Sequence, residues 1–156
     1  MTASADRKRL VILGSTGSIG VQALQVAERL GYTVTALAAG HQVQPLEAQI
    51  RRYMPRAAVM YDESAAADLR VRIGDLPVKV LAGMDGLCEA AALEDADMVL
   101  NAVVGMVGLL PTLAAIEAGR DVALANKETL VAGGAVVMEA GAPKGVRLLP
   151  VDTQHP

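Results

Sequence analysis

The chain has 156 residues, a net charge of −3 and an isoelectric point near 5.3, and 53% of it is hydrophobic with a mean hydropathy of +0.37. This is single-domain length with enough apolar material to bury roughly 70% of the unfolded surface, and its acidic balance excludes a general binder of phosphate backbones. With no Phe or Trp, three Tyr, one Cys and two His, the chain excludes a stacking platform for single-stranded nucleic acid, an internal disulfide and a His-rich metal site.

The opening MTASADRKRL is polar and lacks the long apolar segment of a signal peptide, so residues 1–8 are read as a flexible arm. The first apolar run, LVILG, leads into a helical pattern in which Ile19, Ala23, Val26, Ala27 and Leu30 are expected to form the inward stripe. Gln22, Gln25, Glu28 and Arg29 face away, and Gly31 supplies a stop. Further apolar runs follow in order: TVTALAAG, AAVMYD, VKVLAG, DMVLNAVVG, DVALAN and VRLLPVD. Several are apolar at consecutive positions, the pattern of parallel strands covered on both faces.

Between the fourth and fifth runs, DGLCEAAAL reads as a helix in which Cys88 is a small packed residue rather than a nucleophile. The stretch from Met98 to Ile116 mimics a membrane span. Asn101, Gly105, Gly108 and Pro111 punctuate it, which predicts a buried strand, a turn and a helix start instead. That helix, with Pro111 near its first turn, is expected to end at Gly119. Strand and helix alternate throughout, so the predicted fold class is α/β: a doubly wound, mainly parallel, Rossmann-like sheet of about seven strands. A soluble, cytoplasmic protein without membrane or nucleic-acid partners is expected.

In such a sheet, ligands bind beyond the carboxyl ends of the strands. There the chain reads VILGSTGSIG, with Gly14, Gly17 and Gly20 spaced G-x-x-G-x-x-G. Glycines allow a tight turn and a close backbone approach to a diphosphate, while the following helix offers free N–H groups and positive dipole charge. Ser15, Thr16 and Ser18 add hydroxyls. After the second strand, LAAGHQV places Gly40, His41 and Gln42 where an NAD site would hold an acid, and no carboxylate follows before Glu47. A 2′-phosphate would meet no repulsion there, which favours NADP(H). His41 is either a donor to that phosphate or a solvated loop residue.

Taken together, ILGSTGSIG, VGLLPTLAAIEAGRDVALANKETLV and LLPVD resemble the amino-terminal domain of the 1-deoxy-D-xylulose 5-phosphate reductoisomerase family, over about Arg9 to Asp152. The resemblance implies an NADPH- and divalent-cation-dependent enzyme (Mg, Mn or Co), usually a homodimer. It would convert a phosphosugar, 1-deoxy-D-xylulose 5-phosphate, into 2-C-methyl-D-erythritol 4-phosphate in non-mevalonate isoprenoid synthesis. It further implies that Thr16, Gly17, Ser18 and Ile19 hold the diphosphate, and that Gly40, His41 and Gln42 surround the 2′-phosphate. Asn126 and Glu128 would contact NADPH, Lys127 would serve catalysis by holding the substrate, Thr153 would bind substrate, and Asp152 would be a metal ligand. Read without the resemblance, LANKETL is better taken as an ordinary capped helix on the surface.

The family pattern continues VDSEHN, whereas this chain reads VDTQHP. Gln154 stands where the family has a metal-binding Glu, which removes a charge from a site that hard cations prefer anionic. The expected organisation is therefore a cofactor domain over 9–151, with 152–156 as the start of a catalytic domain whose remainder lies outside this chain. Such a chain is expected to bind NADPH, to hold metal weakly or not at all, and to be inactive alone. Two rivals are a stand-alone NADP(H)-sensing or interaction module, which Gln154 favours, and another NADP-dependent dehydrogenase, which would not predict LANKETL.

Overall fold

A computed structural model describes residues 8–125, 131, 134–135 and 145–151. Among them, seven strands form one sheet in the order β4-β3-β2-β1-β5-β6-β7. They are β1 (Arg9–Leu13), β2 (Thr33–Ala39), β3 (Ala57–Met60), β4 (Lys79–Ala82), β5 (Met98–Asn101), β6 (Asp121–Leu124) and β7 (Leu148–Pro150). Every pairing is parallel. All seven predicted runs are strands, because a strand covered on both faces leaves an unbroken apolar signature.

The crossovers are α1 (Ser18–Leu30), α2 (Val43–Tyr53), α3 (Glu63–Arg72), α4 (Gly83–Ala91) and α5 (Leu109–Glu117). Leu10 and Ile12 of β1 face a core shared with Leu24 of α1, Leu46 and Ile50 of α2 and Leu69 of α3. Val11 and Leu13, their neighbours in the strand, face the opposite core with Leu87 of α4 and Ile116 of α5. Without large aromatics, alanine sets the layer spacing: Ala36, Ala58, Ala66, Ala90 and Ala115 are all fully buried. A Cβ added at Gly86 would lie 3.0 Å from both Leu81 and Val59, so α4 is seated directly on the sheet. In β2 the register shifts opposite Leu10 and Val11, and the skipped residue, Thr35, donates its hydroxyl to the Asp95 carbonyl at 3.1 Å.

The amphipathic stripe of α1 differs from the expected one. Gly20, Leu24 and Ala27 are buried, whereas Val26 and Leu30 are 51% and 53% exposed. The cause is local. A Cβ at Gly20 would lie 2.2 Å from the Gly14 carbonyl oxygen and 2.5 Å from Ser15 Cα, so the helix can dock only with Gly20 turned inward. That contact fixes the rotation of α1 and carries Val26 and Leu30 outward. The stops are as predicted: Gly31 caps α1 with φ 73°, and Gly119 follows α5 with φ 81°.

At the amino-terminal edge, arginines and aspartates join strand starts. Arg9 pairs with Asp97 at 2.9 Å, Arg56 with Asp95 at 2.9 Å, and Arg147 with Asp121 at 2.8 Å. Among the described residues no helix is long and apolar enough to cross a membrane.

Candidate nucleotide site

The chain winds outward from β1 to β4, then returns to place β5 on the other side of β1. This reversal opens a crevice at the carboxyl ends of β1 and β5, where the flanking loops diverge. A cleft of about 340 Å³ lies there, lined by Gly14, Gly17, Gly40, Tyr61, Leu87 and Val103 among others. Among the described residues no carboxylate lines it.

The turn after β1 is held by its neighbours. Gly14 and Ser15 both donate backbone N–H groups to the Ala38 carbonyl of β2, at 2.8 and 2.9 Å. Gly14 has φ +84°, and a Cβ there would come within 2.9 Å of the Ala102 backbone, so only glycine fits. Ser15 is fully buried. Its hydroxyl donates to Gln49 Oε1 at 2.7 Å, while Gln49 Nε2 donates to the Ser15 carbonyl at 2.9 Å. The reciprocal pair clamps the turn to α2. Ser15 is thus a structural anchor and not the ligand-facing hydroxyl its sequence neighbours suggested. Gln49 lies 34 residues away, beyond any local motif.

Beyond the anchor the turn opens. Gly17 is exposed and occupies the N-cap of α1, which has neither a side-chain cap nor an acid in its first turn. Thr16 and Ile19 are half-buried, and Ser18 is exposed with its hydroxyl accepting from Gln22 Nε2 at 3.3 Å. Helix α2, entered from Gln42, likewise has no side-chain cap and no acid in its first turn. Two positive helix ends therefore remain unneutralised beside the cleft.

Gly17 and Gly40 carry a second message. A Cβ at Gly17 would meet only the Gly14 oxygen, at 3.7 Å, and one at Gly40 would meet nothing within 4 Å. Neither has a left-handed backbone. The internal packing requires glycine at neither position, and both line the cleft. A backbone left bare beside a crevice suits close approach by a ligand.

His41 and Gln42 are exposed beside Gly40. Asp62, at the end of β3, enters their neighbourhood although the sequence places it far from them. Its Oδ2 accepts from Ser64 Oγ at 2.7 Å and from the Ala65 N–H at 2.9 Å, capping α3. The Ser64 hydroxyl first, then the Ala65 amide, with a smaller contribution from His41, hold the Asp62 carboxyl below its ordinary value. The acid is committed to the helix cap. Cys88 sits half-buried on α4, and burial, aided by Asp85, pushes its thiol up, which suits packing better than nucleophilic attack.

The far wall depends on Asn101, which is 1% exposed. Its Nδ2 donates to the Gly108 carbonyl and to Thr112 Oγ1, both at 2.9 Å, and its Oδ1 accepts from the Val103 N–H at 3.1 Å. These bonds tie the loop after β5 to the start of α5. In the sequence Asn101 registers only as punctuation in an apolar run.

Asn126, Lys127, Glu128, Asp152, Thr153 and Gln154 lie outside the described residues. The residues just before them do not. The Ala125 N–H donates to the Asn101 carbonyl at 3.0 Å and the Val151 N–H to the Leu124 carbonyl at 2.7 Å, so Ala125 and Val151 end β6 and β7 at the edge that carries the cleft. Among the described residues no group of three His, Cys, Asp or Glu could hold a metal ion.

The sequence profile of the 1-deoxy-D-xylulose 5-phosphate reductoisomerase family matches residues 10–134. The reductoisomerase of Heliobacterium modesticaldum is 52% identical over 152 residues, covering 95% of this chain and 39% of that protein. That of Halothermothrix orenii is 46% identical over 151 residues, covering 96% and 39%. Among solved structures, the Zymomonas mobilis reductoisomerase in complex with NADPH superposes with a TM-score of 0.83 at 40% identity, over 94% of this chain and 39% of that one. A reductoisomerase in complex with magnesium gives 0.88 at 36% identity, over 96% and 38%. The chain spans about 39% of the length of the curated relatives it matches. An NAD-binding oxidoreductase from Klebsiella pneumoniae, 17% identical with a TM-score of 0.52, shares the fold alone.

Proposed function

The chain belongs to the 1-deoxy-D-xylulose 5-phosphate reductoisomerase family, and from that premise we propose that residues 9–151 are the NADPH-binding domain of such an enzyme. The observation that carries this reading is the pair of bare glycines, Gly17 and Gly40, beside two uncapped helix starts at the sheet's reversal point. A diphosphate would take the amides of Thr16 to Ile19, and the 2′-phosphate would lie against Gly40, His41 and Gln42. Asp62, already accepting two hydrogen bonds at α3, would offer little competition for that position.

On the other side of β1, Asn126 and Glu128 would contact the nicotinamide half, with Lys127 and Thr153 against the phosphosugar. Asp152 offers one carboxylate to a divalent cation such as magnesium, manganese or cobalt, and Gln154 only a neutral amide. A cation bound there would polarise a substrate carbonyl. Gln154 in place of a carboxylate weakens the hold on such an ion. The whole enzyme acts as a cytoplasmic homodimer in isoprenoid synthesis. Gln154 also supports a second reading, an NADP(H)-sensing module without catalysis. A reading frame that continues past Pro156 with further carboxylates would rule that out.

Titrating the purified chain with NADPH and NADH tests the main reading. Saturable NADPH binding, with weaker NADH binding, is expected. Absence of saturable binding by either cofactor overturns it.

A further inference from the structure

We infer that Tyr61 is the surface on which the cofactor's adenine stacks, so that this one ring holds the adenosine end of the cofactor. The inference rests on the NADPH reading above.

The chain contains three tyrosines and no other large aromatic. Tyr32 and Tyr53 are half-buried against the core, and the Tyr53 hydroxyl donates to Glu28 Oε1 at 3.0 Å. Tyr61 differs from both. It is 42% exposed, it lines the cleft, and its hydroxyl has no hydrogen-bond partner among the described residues. Its backbone is nevertheless fixed, because its N–H donates to the Ala39 carbonyl at 2.9 Å and the next N–H, of Asp62, donates to the Gly40 carbonyl at 2.9 Å. The ring is presented from a rigid strand end, which limits the ordering that stacking would require.

Strand order supplies the distances. The diphosphate turn follows β1, Gly40 ends β2 one strand over, and Tyr61 ends β3 two strands over. Strands lie about 4.8 Å apart, so these positions step outward by roughly 5 and 10 Å. Diphosphate, ribose and base follow in that order and at that scale along the adenosine half of a dinucleotide. The rest of the cleft lining among the described residues is uncharged, with Leu87, Val103 and Val107 contributing apolar surface. Adenine, an uncharged base with a broad π face, suits an aromatic partner in an apolar cleft.

The test uses the 156-residue chain and 2′,5′-ADP, which carries the adenine, the ribose and the 2′-phosphate without the nicotinamide. Tyr61→Leu keeps an apolar side chain without a π face and is expected to weaken 2′,5′-ADP and NADPH by about five- to a hundredfold. Tyr61→Phe is expected to recover most of that loss, and binding of nicotinamide mononucleotide, which has no adenine, should not change in Tyr61→Leu. In the unmutated chain, the Tyr61 ring protons should shift upfield as 2′,5′-ADP is added, a signature no purely structural role would produce. If the chain binds 2′,5′-ADP while Tyr61→Leu binds it equally well, or while the ring protons stay in place, the stacking inference is overturned and the NADPH reading stands. If the unmutated chain binds neither NADPH nor 2′,5′-ADP, both fall together.

Discussion

At the amino-terminal edge of the sheet, Arg9, Arg56 and Arg147 each reach an aspartate at the start of another strand, and charge is matched by charge. At the carboxyl edge, α1 and α2 begin with no side-chain cap and no acid in the first turn, and among the described residues no carboxylate lines the cleft between them and β5. Among α1 to α5, only α3, farther out, receives a side-chain cap, from Asp62. The contrast shows where stability has been left unused. Capping a helix is chemically easy, and the chain does it at α3. At α1 and α2 the same amides remain available to an external anion.

The largest disturbance of this arrangement should come from Gly20→Ala. The added Cβ would sit 2.2 Å from the Gly14 oxygen, so α1 must move away from the turn. Overpacking of this kind destabilises by about 1–3 kcal/mol, read by urea unfolding, and NADPH binding should disappear with it.

Gly17→Asp separates the two properties. The N-cap backbone there, with φ −80° and ψ 176°, is one that aspartate adopts readily. The new carboxylate would cap α1 and occupy the proposed diphosphate position. The midpoint of thermal unfolding should hold or rise slightly, while NADPH affinity falls by at least about tenfold through lost dipole contacts and repulsion. A variant that loses stability and keeps NADPH would break the comparison.

The opposite edge gives the reverse result. Asp97→Ala removes the partner of Arg9, whose backbone N–H also donates to Asp97 at 2.8 Å. The pair is more than a third exposed, so the expected fall in stability is at most about 1 kcal/mol. NADPH titration should give the unmutated affinity.

The smallest effect is on pH dependence. The Asp97 carboxyl is held below its ordinary value chiefly by the Arg9 side chain, and that of Asp62 by Ser64 and then Ala65. A carboxyl lowered in the folded state contributes its full stability above its unfolded value, roughly 4, and loses it as pH falls through the folded value. Unfolding free energy should therefore be level above about pH 5 and decline below about pH 4, with a shallower decline in Asp97→Asn.

How much of this was legible in the sequence depends on whether the cause is local. The seven strands were, since double burial writes a continuous apolar run. So was the glycine turn, because Gly14, Gly17 and Gly20 stand at fixed spacing after a strand. The rotation of α1 was not. Val26 and Leu30 score as inward by hydrophobicity, and only the contact of Gly20 with the Gly14 oxygen turns them out. Ser15 was assigned by its neighbours, while its actual partner, Gln49, arrives from another helix. Tyr61 and Asp62 were visible as the end of an apolar run, yet their nearness to Gly40 follows from β2 and β3 being adjacent in the sheet. No local pattern encodes that adjacency.

If the amides at the start of α1 grip a diphosphate, their resonances must respond to the cofactor. Amide proton and nitrogen shifts followed during titration of the chain with NADPH test that grip most directly. Saturable shifts are expected to concentrate at Ser18 and Ile19, the first amides of α1, with the capped amide of Ala65 in α3 left in place. Saturable binding with the α1 amides unmoved would contradict it.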